Sequence, residues 1–289
     1  MSGDARLTPL RDGVAGRALE GVAAAEVYLD PEPLRCAVPA AAIRRAPEAG
    51  SEQVDQLLFG ELFDVIEEDA GGFVWGQARR DGYVGFVEAA ALAAPGPAPT
   101  HRISAIRTYA FAEPSIKTRA SGPYSLGGLV TVEAVEERLA KVAGAGWMAV
   151  EHLSPIGVFA RDPAAVATRY LGAPYLWGGR ESLGLDCSGL VQQALLACGL
   201  ACPRDADLQQ GLGREIGRAD FGRGDLVFWK GHVAIGLDGE QILHANAHHM
   251  AVAVEPLDAA IERIKAAGSG EPTAFRRVSP WGSPEEAEA

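Results

Sequence analysis

The chain has 289 residues, of which 48% are hydrophobic and 22% are charged, and its formal net charge is −12. These proportions are typical of a packed globular protein with room for about two or three domains. The acidic balance, without a basic cluster in the sequence, excludes nucleic acid as a partner. No run approaches the roughly 20 apolar residues that cross a bilayer, and no apolar signal core follows the N-terminus, so a cytoplasmic location is expected.

The first half of the chain predicts β-structure after an unassigned beginning. Residues 1–48 are rich in alanine and are given no domain, with a short helix expected near Arg17–Ala25 and an extended segment at Glu26–Leu29. Residues 49–97 predict a small β-barrel, because short β-branched and aromatic runs are separated by glycine turns, and this barrel resembles bacterial SH3-like domains. Its strands are expected at Phe63–Ile66, Phe73–Gln77 and Tyr83–Val87.

A proline-rich linker, Ala94–Pro99, precedes what is predicted to be a second copy of this barrel at 98–156. Two echoes carry that prediction. Leu58–Val65 is echoed by Leu126–Val132, and Gly72–Trp75 is echoed by Gly146–Val150. The members of the second pair are further apart in the sequence than those of the first pair. A longer hairpin loop is therefore expected in the second copy, around residues 133–144.

From residue 157 to residue 289 the pattern predicts an α+β domain, in which helices pack on an antiparallel sheet. One helix is expected at Pro163–Leu171, capped by Asp162, and a stronger one at Cys187–Cys198, ended by Gly199. Three strands should follow, at 225–229, 232–237 and 241–245.

Cys187 stands where the second of these helices begins, directly after Asp186. A helix N-terminus carries unpaired N–H groups and partial positive charge, which favour a thiolate. A thiolate can attack an amide carbonyl, and the same N–H groups can stabilise the oxyanion that forms. A cysteine alone would more simply be a small packed residue, so the interpretation depends on a base.

His232 and His244 lie on successive strands and are the candidates for that base. Side chains alternate along a strand, so the two histidines share a face only if the intervening hairpin has a loop of three residues, Asp238–Glu240. In that register Leu237 pairs with Gln241, and His244 can bond one nitrogen of His232 while the other nitrogen faces Cys187. A two-residue turn would place them on opposite faces.

Five segments in order make a family resemblance specific. They are Tyr175–Arg180 (YLWGGR), Leu185–Val191 (LDCSGLV), Gly224–Trp229 (GDLVFW), Gly231–Gly236 (GHVAIG) and Ile242–Ala245 (ILHA). Together they resemble the NlpC-type cell-wall cysteine peptidases. The resemblance implies a papain-like fold, with Cys187 as nucleophile, His232 as base and His244 as the orienting residue.

With two SH3-like domains ahead of it, the chain resembles the branch that cleaves γ-D-glutamyl-L-diamino acid bonds in murein peptides carrying a free N-terminal L-Ala. By that resemblance, Tyr83 and Asp186 help to hold the substrate amine, Glu52 adds a carboxylate, and Ser188 follows the nucleophile. A polymeric strand has no such amine and would leave these groups unpaired. Asp186 also suits a helix cap, and Tyr83 an ordinary barrel position.

Other substrate contacts are expected from residues near the same motifs. Arg180 and Arg204 are candidates for the acidic end of the substrate, or else surface arginines, and Tyr175 and Trp177 are further candidate contacts. No metal or other cofactor is expected, because strand geometry should splay His244, His248 and His249 without an accompanying carboxylate. Small murein peptides are the expected partners, and the oligomeric state is not predicted.

Three alternatives stay open at this point. The chain could be a hydrolase of the intact wall, exported by a signal absent from this sequence. It could be an inert protein that binds wall fragments, although the complete Cys-His-His set argues against this. It could also use the thiol for acyl transfer.

Overall fold

A computed structural model describes residues 3–69 and 71–278, and residues 1, 2, 70 and 279–289, which include the end of the predicted peptidase domain, lie outside this description. The chain divides into two compact units, Met1–Val158 and Phe159–Ala289. In the described residues, no helix combines the length and the apolar character needed to cross a membrane.

The first unit is built almost wholly from strands. They are β1 (Leu10–Arg11), β2 (Val14–Gly16), β3 (Val27–Leu29), β4 (Glu32–Cys36), β5 (Ala40–Arg44), β6 (Gln53–Leu58), β7 (Leu62–Glu68), β8 (Phe73–Ala78), β9 (Val84–Glu88), β10 (Leu92–Ala93), β11 (His101–Ile103), β12 (Arg107–Phe111), β13 (Ala120–Ser125), β14 (Leu129–Val130), β15 (Val132–Glu136), β16 (Leu139–Val142), β17 (Gly146–Ala149) and β18 (Leu153–Pro155). Short 3-10 helices lie at Arg17–Leu19, Ala89–Ala91 and Val150–His152.

Two SH3-like sheet systems repeat the same strand order in this unit. The first is a seven-stranded sheet in the order β10-β4-β7-β8-β9-β5-β6. The second has the orders β18-β11-β14 and β15-β16-β17-β12-β13, so that β14 and β15 together take the place of β7. The register of β7 shifts between Val65 and Glu67, and β15 shifts between Val132 and Ala134, so both strands bend where the sheet curves.

The predicted repeat is present, but its second echo was misaligned. Gly146–Ala149 forms β17, and a 3-10 turn and a short strand follow it, as they follow β9 in the first copy. Its counterpart is therefore the segment beginning at Gly85, and not Gly72–Trp75. The long loop expected around residues 133–144 is instead the β15–β16 hairpin. Four of the five residues of β15 are exposed, which removed the alternation that marks a strand in the sequence.

The segment without a predicted domain, 1–48, contributes to the first sheet. Strand β4 pairs with both β7 and β10, and β5 pairs with β6 and β9. The rest of the segment forms the small sheet β1-β2-β3, which includes the extended stretch expected at Glu26–Leu29. The short helix expected near Arg17–Ala25 is only the three-residue 3-10 turn, and Gly21 in that stretch has a positive φ of 78°.

A glycine is required at the turn between β6 and β7. Gly60 has a φ of +79°, and a Cβ there would lie 2.0 Å from the carbonyl oxygen of Leu129. An L side chain would therefore be strained in conformation and would also collide with backbone. The close approach brings the backbone of the first sheet system against that of the second within the same unit.

The second unit has helices on one antiparallel sheet, as the sequence predicts. Its elements are α1 (Pro163–Thr168), β19 (Arg180–Glu181), β20 (Gly184–Leu185), α2 (Cys187–Ala197), α3 (Ala206–Gln209), β21 (Arg214–Glu215), β22 (Leu226–Trp229), β23 (His232–Gly236), β24 (Gln241–Asn246), β25 (Ala251–Pro256), α4 (Leu257–Ala266) and β26 (Ala274–Arg277), with a 3-10 turn at Arg218–Asp220. The six-stranded sheet has the order β21-β26-β22-β23-β24-β25.

Helix α2 is the centre of this unit, because ten of its eleven residues are buried. It packs on α1 and on strands β23 and β24. Such a helix shows little contrast between its faces, as expected for one surrounded by protein. Its first residue is thereby held against the two strands that carry the histidines.

Candidate active site

Helix α2 begins at Cys187 because Asp186 caps it. Oδ1 of Asp186 accepts a hydrogen bond from the backbone N–H of Gly189 at 2.8 Å, and Oδ2 accepts one from Gly178 at 2.8 Å. Aspartate is among the best N-cap residues, since its carboxylate satisfies N–H groups that have no partner inside the helix. The capping role expected for Asp186 is confirmed, and it fixes the nucleophile candidate at the helix mouth.

The thiol of Cys187 lies against strand β23 and is only 7% exposed. The backbone N–H groups of Val233, the neighbour of His232, and of Ser188 are directed at it. Burial is the main cause that raises the pKa of Cys187, to about 12, and the charge of Asp186 acts in the same direction. The expected resting thiolate is therefore wrong, because desolvation outweighs the N–H groups of the helix start.

The predicted register of the two histidines is confirmed. Ile235 pairs with Leu243, and the N–H of Leu237 donates to the carbonyl of Gln241 at 2.8 Å, which closes a three-residue loop. Asp238 stabilises this loop by accepting from the backbone N–H groups of Glu240 and Gln241. As a result, Nε2 of His232 lies 2.9 Å from Nδ1 of His244.

Both imidazoles are neutral at rest because they are buried. Burial is the main cause that lowers the pKa of His232, and the positive charge that His244 would carry lowers it further. Burial likewise lowers the pKa of His244, to about 4, and this ring is fully buried. The site therefore holds a neutral thiol beside a neutral base. The indole of Trp229 lies 5.7 Å from the His232 ring, centroid to centroid, and packs one side of it.

A carboxylate and a guanidinium extend the histidine pair, and the sequence interpretation missed both. Nε2 of His244 lies 3.1 Å from Oε2 of Glu255. Arg263 holds that carboxylate with two hydrogen bonds, from Nε at 2.9 Å and from a terminal nitrogen at 2.6 Å. Strand β25 pairs His244 with Ala253, so Glu255, two residues further on, returns to the same face. The alternation of side chains along this strand, which follows the last family motif, could therefore have indicated Glu255.

A carboxylate accompanies the histidines, although the sequence was expected to provide none there. Ligand atoms of His244, His249 and Glu255 all lie within 4.8 Å of one another. Each already has a protein partner, however: Glu255 bonds Arg263, and Nδ1 of His249 lies 2.9 Å from Oδ1 of Asn246. The cluster is accounted for by these hydrogen bonds, and the guanidinium on the carboxylate disfavours a cation.

The two arginines expected to bind the acidic end of the substrate are not surface residues, since each is 1% exposed. Arg204 forms two hydrogen bonds with Asp186, at 2.7 and 2.9 Å, and others with Oγ of Ser188 and with the carbonyl of Gly179. Its charge compensates a buried carboxylate, which corrects its expected role in anion binding. Arg180 donates to the side chain of Gln193 at 3.1 Å, in the interior of the unit.

Three other candidate contacts lie beside the nucleophile with different exposures. Tyr175 is half-buried, and burial together with the charges of Cys187 and Asp186 raises the pKa of its phenol, which places it near the thiol. Trp177 is 58% exposed and available to a ligand. The side chain of Ser188 is buried and bonded to Asp186 at 3.2 Å, so only its backbone N–H faces the thiol.

The candidates in the first unit are a buried phenol and an exposed carboxylate. Tyr83 is 5% exposed and packs in the hydrophobic core of the first sheet, as the ordinary barrel alternative expects. It also lines a cavity of about 230 Å³ with Arg11, Arg45 and Trp75. Glu52 pairs with Arg45 at 2.7 Å on the surface of this unit.

A cysteine at the start of a buried helix, packed against a strand whose imidazole bonds a second imidazole, is the arrangement of a papain-like cysteine peptidase. Residues 172–265 match the NlpC/P60 family, and residues 43–92 match the bacterial dipeptidyl-peptidase Sh3 domain. The second unit thus contains an NlpC/P60 family domain, and a bacterial SH3 domain precedes it in the sequence.

Two curated relatives resemble part of the chain. Dipeptidyl-peptidase 6 of Lysinibacillus sphaericus is 38% identical over 109 residues, which are 37% of this chain and 40% of that protein. The gamma-D-glutamyl-L-lysine dipeptidyl-peptidase of Bacillus subtilis is 37% identical over 94 residues, which are 30% and 32% of the two chains. The matches thus span less than half of either relative.

One solved structure shares the fold over most of the chain. The crystal structure of an NlpC/P60 family protein from Bacillus cereus has a TM-score of 0.73 and 19% identity, and the alignment covers 86% of this chain and 100% of that one. At this identity the likeness establishes the fold alone.

Proposed function

We propose that the chain is an endopeptidase that hydrolyses the bond between γ-D-Glu and the L-diamino acid of murein peptides with a free N-terminal L-Ala. The observation that carries the proposal is the arrangement of Cys187 at the start of α2, with the N–H of Val233, the neighbour of His232, directed at its thiol and with His244 2.9 Å from His232. The name of the gamma-D-glutamyl-L-lysine dipeptidyl-peptidase that the chain resembles supports this substrate class.

The proposed reaction begins from the neutral pair. As Sγ of Cys187 attacks the γ-carbonyl of D-Glu, His232 takes the thiol proton. The backbone N–H of Ser188 is placed to stabilise the oxyanion. His232 then gives the proton to the leaving α-amine of the diamino acid, and the C–N bond breaks. Water, with His232 as base, hydrolyses the remaining thioester and restores the thiol.

The requirement for a free amine is the finer part of the proposal. Asp186 directly precedes the nucleophile, so the ammonium, one residue away from the scissile bond, is proposed as a second cation near this carboxylate beside Arg204. An ammonium offsets the desolvation of acidic groups, and an acylated amine cannot. Tyr175 and Trp177 are proposed to contact the peptide, whereas Arg180 and Arg204 are interior residues without the exposure that such a contact needs.

The test compares L-Ala-γ-D-Glu-diamino acid with its N-acetylated form, in both the meso-diaminopimelate and the L-Lys series, and measures the release of the diamino acid. We expect kcat/KM to be at least about 100-fold higher for the free amine. Cys187→Ala should abolish release, whereas Cys198→Ala, near the other end of the helix, should retain it.

The outcomes separate the parts of the proposal. Equal cleavage of both forms would overturn the free-amine requirement, and faster release from intact sacculi would favour a hydrolase of the wall. Undiminished release by the Cys187→Ala variant would overturn the catalytic assignment. Binding of fragments without release by the native protein would favour a binding protein.

A further inference from the structure

Behind the nucleophile, a chain of hydrogen bonds links His232, His244, Glu255 and Arg263. Only one assignment of donors and acceptors fits this chain, and this assignment is its direction. Arg263 is the main cause that holds the pKa of Glu255 below its usual range, so this carboxylate is ionised and can only accept. His244 must therefore carry its proton on Nε2, the atom 3.1 Å from Glu255. Its Nδ1 is then a bare acceptor, and His232 must donate from Nε2 across the 2.9 Å contact.

This direction leaves Nδ1 of His232 without a proton. A neutral imidazole has one donor nitrogen and one acceptor nitrogen, and only the acceptor can act as a base. If the chain ran in the opposite direction, Nδ1 of His232 would carry a proton and could not accept the one on the thiol. The carboxylate of Glu255 thus decides, through His244, whether His232 has the tautomer that can act as a base.

The carboxylate is itself fixed in orientation. Two hydrogen bonds from Arg263, at 2.9 and 2.6 Å, hold both oxygens of Glu255 in a planar fork. The side chain of Glu255 is 12% exposed and that of Arg263 is 26% exposed, so the pair is partly shielded from water, while the His244 ring is fully buried.

We propose that Glu255, held by Arg263, is a positioning residue that sets the tautomers of His244 and His232 and thereby leaves Nδ1 of His232 free to act as the base. The inference rests on the proposed function only in assigning His232 as the base for Cys187. The tautomers themselves are a property of the folded protein and can be measured without substrate.

Glu255→Met is the informative substitution, because it keeps the length of the side chain and removes the acceptor. Nε2 of His244 then has no carboxylate to which it can donate, so the Nε2–H form of His244 loses its advantage over the Nδ1–H form. The reversed direction, in which both histidines carry their protons on Nδ1, becomes accessible. We expect kcat to fall about 10- to 100-fold with KM within about threefold of the native value, since removal of groups that orient catalytic ligands costs about that much.

The rescue is Glu255→Gln, and the control lies on helix α4. Oε2 of Glu255 accepts from Arg263 at 2.6 Å and also faces Nε2 of His244, so a glutamine oxygen at the same place keeps the native direction. We expect kcat of Glu255→Gln to be at least fivefold above that of Glu255→Met, a difference that loss of packing alone would not produce. Asp258→Asn removes an exposed carboxylate of α4 that pairs with Arg218 at 2.9 Å, and it should leave kcat unchanged.

The decisive measurement is the pattern of imidazole ¹⁵N chemical shifts, which distinguishes Nδ1–H from Nε2–H. The native protein should show Nε2–H for both histidines, and Glu255→Met should show a population of Nδ1–H. A Nδ1–H form of either histidine in the native protein would overturn the proposal, as would a Glu255→Met variant with unchanged tautomers and native kcat. Native tautomers as expected, without hydrolysis of any murein peptide, would instead count against the proposed function.

Discussion

The helix side and the sheet side of the active site each carry a carboxylate paired with an arginine, but the two carboxylates face different partners. Asp186 accepts from the backbone N–H groups of α2 and the preceding loop, and its pair with Arg204 has exposures of only 9% and 1%. Glu255 faces the ring of His244, and its pair with Arg263 is nearer to solvent. The Asp186–Arg204 pair stabilises the fold, and the Glu255–Arg263 pair orients the histidines.

The largest expected effect comes from breaking the helix-side pair. Arg204→Met should lower the free energy of unfolding by about 3–5 kcal/mol, because the buried carboxylate of Asp186 loses its compensating charge. Chemical denaturation at neutral pH measures this. The matched control is Arg223→Met, which breaks a pair with Asp162 that is 51% and 38% exposed and should cost at most about 1 kcal/mol. Equal losses in both variants would remove the distinction between the pairs.

A smaller effect should appear as a dependence on pH at the sheet side. Burial lowers the pKa of His244 to about 4 from the ordinary value of 6.5. Between these values the unfolded chain binds a proton that the folded protein does not, so stability falls as the pH decreases, by about 1.4 kcal/mol per pH unit. Above pH 6.5 this group contributes nothing.

His244→Asn should therefore reduce the slope of unfolding free energy against pH by about 1.4 kcal/mol per unit between about pH 6 and 4.5. His232, whose pKa is also lowered by burial, keeps its own contribution in both proteins. The measurement is denaturation at a series of pH values. A variant with the native slope would show that His244 takes up its proton readily in the folded state.

The smallest expected change in stability comes from the sheet-side arginine. Arg263→Met should cost about 1 kcal/mol or less, because its side chain is 26% exposed and the carboxylate keeps the N–H of His244 as a partner. The thermal unfolding of this variant should therefore resemble that of the native protein far more closely than that of Arg204→Met. A loss as large as that of Arg204→Met would make both pairs structural.

The sequence predicted best what depends on local periodicity. The register of His232 and His244 follows from the alternation of side chains and from a three-residue loop, and both can be read without knowing the fold. The start of α2 at Cys187 follows from an aspartate cap. These local rules correctly predicted the start of the helix at Cys187 and the shared face of the two histidines.

Features that depend on burial, or on contacts between residues far apart in the sequence, could not be predicted from local patterns. The pKa of Cys187 is raised because α2 is surrounded by protein, and the internal position of Arg204 follows from the same packing. Glu255 and Arg263 reach His244 from a strand and a helix beyond the last motif. The β15–β16 hairpin was missed because its residues are mostly exposed and give no hydrophobic alternation.

Strand β15 also has a consequence for how molecules behave towards one another. It lies at the end of its sheet, and Glu133 and Glu136 are exposed along it. An open edge can add a strand from a second molecule, and charged side chains prevent this by repulsion and by the cost of stripping their water. Two copies meeting edge to edge would bring these glutamates together, so the charges at this position protect the chain against aggregation through its second SH3-like sheet.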